Sequence, residues 1–367
     1  MFDKWKISAS QFMILVILFT VGSAILIVPS GLVSDAKQDA WLAAIFGIGI
    51  GVCLVILYIA LGSLFPDMTL IEVHEKLLGK WLGKAVSLFF ITTLFLGGPV
   101  TVLFYLGNFM TAEIILETPL LAINIFFAIV VILGVRFGIE TLARTAEIVF
   151  PWFILLFIGL IIFLSPEMKF ENFQPVLERG IKPVIPAILS FLGITYFPLV
   201  VLLMIFPSYI NHPKTARKTF LIGSFIGSIL IGIIVTLCIL VLGPSLTELY
   251  IYPSYALAKK INIGNFLTRI EVIMAIIWLI SLYFRLTIYF YITVVALAKI
   301  FNLNDYRPLT LPLGMILVVL SIIVFPDTIY GQRWDAHTWV PYIFTFGFIW
   351  PLFLLGVGIF RKNTEEK

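Results

Sequence analysis

Charge is scarce in this sequence. Asp, Glu, Lys and Arg make up 12% of the 367 residues while 61% are hydrophobic, which excludes an ordinary soluble domain, where roughly a quarter of residues are charged. The chain belongs in a bilayer. Its basic residues are spread over loops and the net charge is only +4, so no nucleic-acid partner is expected. Cysteine is rarer still. Cys53 and Cys238 both fall inside apolar runs and read as small buried side chains, not as a disulfide or a reactive thiol. His74, His212 and His337 lie in or beside loops with no second His, Cys or paired carboxylate at ligand spacing, so no metal is expected. The sequence also lacks a Gly-x-x-x-x-Gly-Lys-Ser/Thr loop, which argues against ATP hydrolysis. It shows no nucleophile with a base and no paired acid–base set, so neither an enzyme nor a cofactor is expected.

What the sequence has is long apolar runs. Taking roughly 20 apolar residues per membrane helix, spans are predicted near Gln11–Val33, Trp41–Leu64, Leu82–Leu116, Leu120–Val135, Ala146–Leu164, Val184–Tyr209, Thr219–Leu242, Leu267–Ala298, Leu309–Phe325 and Trp339–Phe360. That is an all-α membrane protein of about ten helices in one transmembrane domain, 1–367. Its first half would cover about 10–165, its second about 184–325, with a final span at about 339–360. Lys4 and Lys6 precede the first run as in a signal peptide, but the run continues past Val28 with no small-residue cleavage pattern, so it reads as a retained span. Ten spans put both termini on one side. Lys and Arg favour the cytoplasm for that side by roughly two to one.

Two connections are long. Between Phe65 and Gly83, apolar Leu70, Val73, Leu77 and Leu78 alternate with Glu72, Glu75, Lys76 and Lys80, as in an interfacial amphipathic helix. Gly243 to Phe266 carries Tyr250, Tyr252, Pro253 and Tyr255 and reads as a packed outer loop or a lid. Gly47 and Gly51, and Gly223 and Gly227, have the small-xxx-small spacing that lets helices approach closely.

The first span is interrupted. Gly22, Ser23 and Ala24 stand halfway along it. Span six repeats the disturbance with Ser190, Gly193, Thr195, Tyr196 and Pro198. In hydrocarbon a broken helix survives only where the freed backbone groups face a cavity, a ligand or neighbouring helices. Interruptions at corresponding places in two five-span halves point to an inverted-repeat transporter architecture with its site at mid-membrane. There, freed N–H groups can receive a carboxylate and freed carbonyls an ammonium or a cation.

Few charges lie within spans, and each needs a reason. Arg285 reads either as a partner for an acidic group or ligand carboxylate, hence a gate, or as a side chain snorkelling to the interface. Glu147, close to Arg144 and Glu140, is either part of a proton relay or one member of a helix-end ion pair. Arg269 and Glu271 head span eight, where a cap or lid contact is expected.

Three stretches, "TLIEVHEKLLGKWLGKAVSLFF", "ETPL" and "YPSYALAKKINIGNFLTRIEVIMAIIWLISLYF", resemble the B subunits of bacterial spore germinant receptors, ten-span relatives of the amino acid–polyamine–organocation transporters. The resemblance covers essentially the whole chain. Its most specific parts are Leu78-Gly79-Lys80 with Leu82-Gly83-Lys84, and Arg269-Ile270-Glu271 with Trp278. It implies a LeuT-like fold of two inverted five-helix repeats in the spore inner membrane. It also implies an A-type membrane subunit and a C-type lipoprotein as partners, and a small nutrient ligand such as an amino acid. Carried over, the family's ligand contacts fall on Gly22, Ser23, Ala24 and Ile25 and on Ser190, Gly193, Ile194, Thr195 and Tyr196. Gly97, Gly98, Thr101 and Tyr105 of span three would cross the pocket. The Gly-x-Gly of many relatives is absent from span one, which has Gly22-Ser23-Ala24 in its place. The expected function is a nutrient sensor; a proton- or sodium-coupled amino acid transporter and an ion or water pathway are the alternatives.

Overall fold

The computed structural model describes residues 6–261 and 271–365. Among these residues the regular elements are helical, apart from a bridge between Ile7 and Ile210 that ties the start of span one to the end of span six. Seven helices are long and apolar enough to cross a membrane, and Ala9–Val21 and Arg307–Ile323 are shorter apolar helices. Two of the seven are far longer than one crossing needs. Ala24–Leu64 joins the second half of span one to span two through a turn at Lys37–Asp39, and Leu120–Leu164 reverses at Gly138. The described residues therefore make ten passes.

The expected breaks between spans are not always breaks in helix. Residues 136–145, read as a connection, stay helical up to and beyond Gly138, because Arg136, Glu140 and Arg144 end the apolar run without disfavouring helix. Glu140 and Arg144 pair one turn apart. The last span begins at Thr328, eleven residues before the expected Trp339, and passes through π-helical turns at Asp335–Trp339 and Thr345–Ile349. Arg333, Asp335 and His337 made this segment look like a loop. Span three also carries π turns, at Leu96–Val100 and Met110–Ile114.

Close glycine seats set the centre of the bundle. A Cβ on Gly47 or Gly51 of span two would lie 2.5 Å from the Phe191 ring or 2.2 Å from the Tyr196 ring of span six. On span seven, Gly223 and Gly227 fit against Met13 and Val16 and against Thr20 of span one. Spans one and six are thereby drawn together. Elsewhere Phe126, Ile129, Leu133, Trp152 and Leu155 of spans four and five are exposed, an apolar face suited to lipid.

The amphipathic helix, Leu70–Leu78, starts with a capping box in which the Thr69 N–H donates to Glu72 Oε2 at 2.7 Å. Its apolar face docks on protein: Leu70, Ile71, Val73, His74 and Leu77 are buried. Trp350 Nε1 donates to His74 Nε2 at 2.9 Å, and an indole nitrogen can only donate, so Nδ1 carries the imidazole proton and faces Ser87 Oγ at 2.9 Å. Burial pushes the His74 pKa down to about 3. Glu72 is drawn the opposite way by burial, but its bonds from Lys299 and Thr69 prevail and hold its carboxyl below the usual range.

Past span seven, two short helices, Pro244–Leu249 and Pro253–Ala258, form the described part of the long outer connection. Glu248 pairs with Lys37, and Ser254 Oγ donates to the Ile25 carbonyl at 2.5 Å. Arg269 lies outside the described residues.

Candidate functional site

Gly22 ends the half-helix Ala9–Val21 with φ +20° and ψ −122°. Its N–H donates to Leu18 at 2.9 Å, and the second half-helix, Ala24–Ala36, begins after Ser23. Glycine is needed here twice over. L side chains rarely adopt this backbone conformation, and a Cβ would stand 2.2 Å from Cδ of Arg285.

In span six the helix Val184–Thr195 runs through Ser190 and Gly193 and changes to a 3₁₀ helix, Phe197–Met204, only after Tyr196. The break is thus later than its small residues suggest. Pro198 supplies the reason, since it has no N–H to give the carbonyl four residues earlier, that of Ile194. Arg285, from the middle of span eight, makes the missing bond: Nη2 donates to Ile194 O at 2.9 Å. Its Nη1 reaches Phe19 O at 3.4 Å, and the guanidinium lies 5.2 Å from the Phe19 ring centroid and 5.8 Å from that of Tyr289. One side chain thus touches both broken helices. It is 3% exposed and stays at the break instead of snorkelling.

Beside it is a cavity of about 30 Å³, lined by Ser23, Ile27, Gly97, Thr101, Val102, Tyr105, Ile194, Arg285, Tyr289, Asp335 and Trp339. That volume holds about two water molecules. The Tyr105 hydroxyl donates to Asp335 Oδ2 at 2.5 Å. Trp339 Nε1 donates to the Gly193 carbonyl at 2.9 Å, and its ring edge occupies the place of a side chain at Gly97, where a Cβ would come within 2.2 Å of Cζ3. The π turn Asp335–Trp339 holds both residues of span ten that line the cavity.

The structure gathers Ser23, Gly97, Thr101, Tyr105, Ile194 and Arg285 around this cavity, and Gly22 and Gly193 lie one contact away. Other expected site residues point elsewhere. The Ile25 carbonyl is taken by Ser254, and Ala24 is buried in the second half-helix. Gly98 abuts the Tyr289 ring, and Ser190 Oγ faces Gly31. Thr195 Oγ1 donates back to Phe191 O at 2.5 Å, while the Tyr196 hydroxyl meets Ser228 Oγ at 2.7 Å, on the far side of span six. Glu147 accepts from Gln11 Nε2 at an exposed helix end, away from the cavity. Asp335, Trp339 and Tyr289 were not anticipated. An isolated carboxylate among Trp334, Trp339 and Tyr342 was the available signal.

Chemically the cavity is polar and lined by two ionisable side chains, Arg285 and Asp335, which form no ion pair with each other among the described residues. Ionisable groups placed this deep in a membrane bundle mark ligand, ion or proton sites. No metal-holding cluster of His, Cys, Asp and Glu occurs among the described residues.

The family described as spore germination protein matches this chain over residues 6–330. Spore germination protein KB of Bacillus subtilis (strain 168) is 31% identical over 371 residues, covering 100% of this chain and 98% of its own. Among solved structures, Mhp1, a nucleobase-cation-symport-1 family transporter, in a closed conformation with bromovinylhydantoin bound, superposes with a TM-score of 0.68 at 11% identity, over 93% of this chain and 79% of that one. MhsT in complex with L-phenylalanine gives 0.61 at 17% identity, over 97% and 99%. These likenesses establish the LeuT-like fold that the family resemblance implied.

Proposed function

The chain belongs to the spore germination protein family, and from that membership and the cavity between its two broken helices we propose that it is the nutrient-sensing membrane subunit of a germinant receptor. It is a permease-like multi-pass membrane protein with the LeuT fold. The observation that carries the sensor reading is Arg285, which bonds the Ile194 carbonyl at one break and reaches Phe19 at the other beside a polar cavity. A small ligand there would bear on both breaks at once. A ligand shifts a conformational equilibrium only through its differential affinity for the two states, and a group that contacts both broken helices is where such a difference can arise.

The cavity is too small for an amino acid as it stands, so binding requires the site to widen. That rearrangement would be passed to an A-type membrane subunit and a C-type lipoprotein in the spore inner membrane, with both termini cytoplasmic. A second reading, a proton- or sodium-coupled amino acid transporter, draws on Asp335, a carboxylate within the last span.

One experiment separates the two. The purified protein in liposomes is given a labelled amino-acid panel with and without an inward proton or sodium gradient, alongside equilibrium binding of the same panel. Saturable binding without accumulation is the expected result. Gradient-driven accumulation overturns the sensor in favour of transport.

A further inference from the structure

Three basic side chains meet where two apolar spans run out. Span two, Ala40–Leu64, stops at Phe65, and span ten passes from apolar residues to Arg361 and Lys362. Lys76, in the last turn of the amphipathic helix Leu70–Leu78, joins these two residues around one cavity of about 180 Å³. That is room for roughly a dozen water molecules, and so for a ligand of headgroup size. The remaining walls are apolar, from Leu64, Phe65 and Leu77, and no carboxylate lines the cavity among the described residues. Arg361 and Lys76 keep donors in reserve. Arg361 Nη1 donates to the Lys76 carbonyl at 3.0 Å, which leaves most of the five N–H groups of its fork. The Lys76 ammonium lies 5.1 Å from the centroid of the Phe65 ring and makes no ion pair among the described residues. Like charges gathered round one cavity repel each other, so the arrangement favours a bound anion.

The level of the cavity selects the anion. Two membrane helices reach the end of their apolar length here, which sets the cavity at the depth of lipid headgroups. Just before Arg361, Ile359 and Phe360 are exposed, an apolar surface that acyl chains can cover. Basic clusters at this depth attract anionic headgroups, and a guanidinium fork matches the geometry of a phosphate. We propose that the cavity binds the phosphate of an anionic phospholipid, with Lys76, Arg361 and Lys362 around the phosphate and the acyl chains against Ile359 and Phe360. The site is distinct from the cavity at the helix breaks and stands whether or not that cavity takes a nutrient. A phosphate shared by Lys76 and Arg361 fastens the amphipathic helix to span ten. The same helix is bonded to span eight, which carries Arg285, through Glu72 and Lys299, so the lipid braces a helix that already joins these two spans.

The test uses the full-length protein in a neutral detergent, with bound lipid counted by native mass spectrometry as phosphatidylglycerol or phosphatidylcholine is titrated in. Phosphatidylglycerol should be retained saturably and at least tenfold more tightly than phosphatidylcholine. Each basic residue lost should weaken it about fivefold, so the triple variant Lys76→Gln, Arg361→Gln, Lys362→Gln should lose at least tenfold. A triple variant with the same net charge, Lys214→Gln, Arg217→Gln, Lys218→Gln, removes exposed cations elsewhere and should stay within about twofold of the unaltered protein. If the first triple variant fails to fold, Lys76→Gln alone decides, since its side chain holds no ion pair that the change would break. Inorganic phosphate, which lacks acyl chains, should displace the lipid only weakly. Equal retention of the two lipids, full retention in the first triple variant or in a folded Lys76→Gln, or an equal loss in the second would overturn the proposal. Displacement by inorganic phosphate at concentrations comparable to the lipid would overturn it too, and assign the cavity to a soluble anion.

Discussion

At Gly97 a single added methyl group should disturb the cavity directly. An added Cβ would stand 2.2 Å from Cζ3 of Trp339, and ordinary contact begins near 3.4 Å, so the indole must retreat by about 1.2 Å. The retreat is resisted from behind, because Nε1 is bonded to the Gly193 carbonyl at 2.9 Å, and a shift of that size stretches the bond past hydrogen-bonding range. Gly97→Ala therefore combines an overpacking cost of about 1–3 kcal/mol with about 1–3 kcal/mol for a buried polar pair left unmade. The sum is about 2–6 kcal/mol. Trp339→Phe removes the obstructing ring edge and forgoes the same hydrogen bond on its own, so the double variant should be less destabilised than the two single effects added, by at least about 1 kcal/mol. Unfolding free energies in mixed detergent micelles for the four proteins complete the cycle. If Gly97→Ala is neutral within about 0.5 kcal/mol, or if the two effects simply add, the packing of Trp339 on span three described above is wrong.

The pH dependence of the amphipathic helix has a definite sign. The His74 pKa falls from 6.5 to about 3 on burial, so the undocked helix binds the extra proton between those values. Docking is then at full strength above pH 6.5 and weakens as pH falls towards 3, by about 2 kcal/mol at pH 5. Hydrogen exchange of residues 70–78 at pH 7 and pH 5 reads this, and equal protection at both would contradict the buried neutral imidazole. Gly51→Val should cost about 1–3 kcal/mol because it strikes the Tyr196 ring, whereas Gly49→Val should be nearly silent, with nothing within 4 Å of the added carbon; thermal midpoints of the pair compare them directly. Pro198→Ala supplies an N–H for the Ile194 carbonyl in competition with Arg285, so ligand affinity should drop several-fold while the protein remains folded, measured by binding in nanodiscs. Glu147→Gln should leave that affinity unchanged.

The residues that break helices were legible in the sequence because glycine and proline act locally. Gly22 and Pro198 act through their own backbones, and both lie where the helices change course. The pairing of small residues in spans two and seven was legible for the same reason. What Gly193 and Ser190 do was not, because a helix tolerates both and only the tertiary packing shows that Gly193 offers its carbonyl while Ser190 packs against a neighbour. Tyr196 has a hydroxyl in the right region, yet its ring turns to Ser228, and no periodicity predicts which way one ring at a break will face. Asp335 was hidden by the rule that finds membrane helices: charge ends an apolar run, so the segment carrying this cavity-lining residue was set aside as loop. A π turn, which re-aims side chains within an otherwise continuous helix, leaves no mark in hydropathy.

The glycine seats of spans two and seven have a consequence for how the chain comes together. Span two, in the first half, grips span six of the second; span seven, in the second half, grips span one of the first. Each half thus carries the socket for the other half's broken helix, like two hands clasped thumb over thumb. As the chain leaves the ribosome, span one must wait in the bilayer with Val16 and Thr20 uncovered until span seven arrives more than 180 residues later. Neither half is then a finished object on its own, and two fragments cut near residue 175 and produced together should find each other in the membrane, while either one produced alone should be degraded.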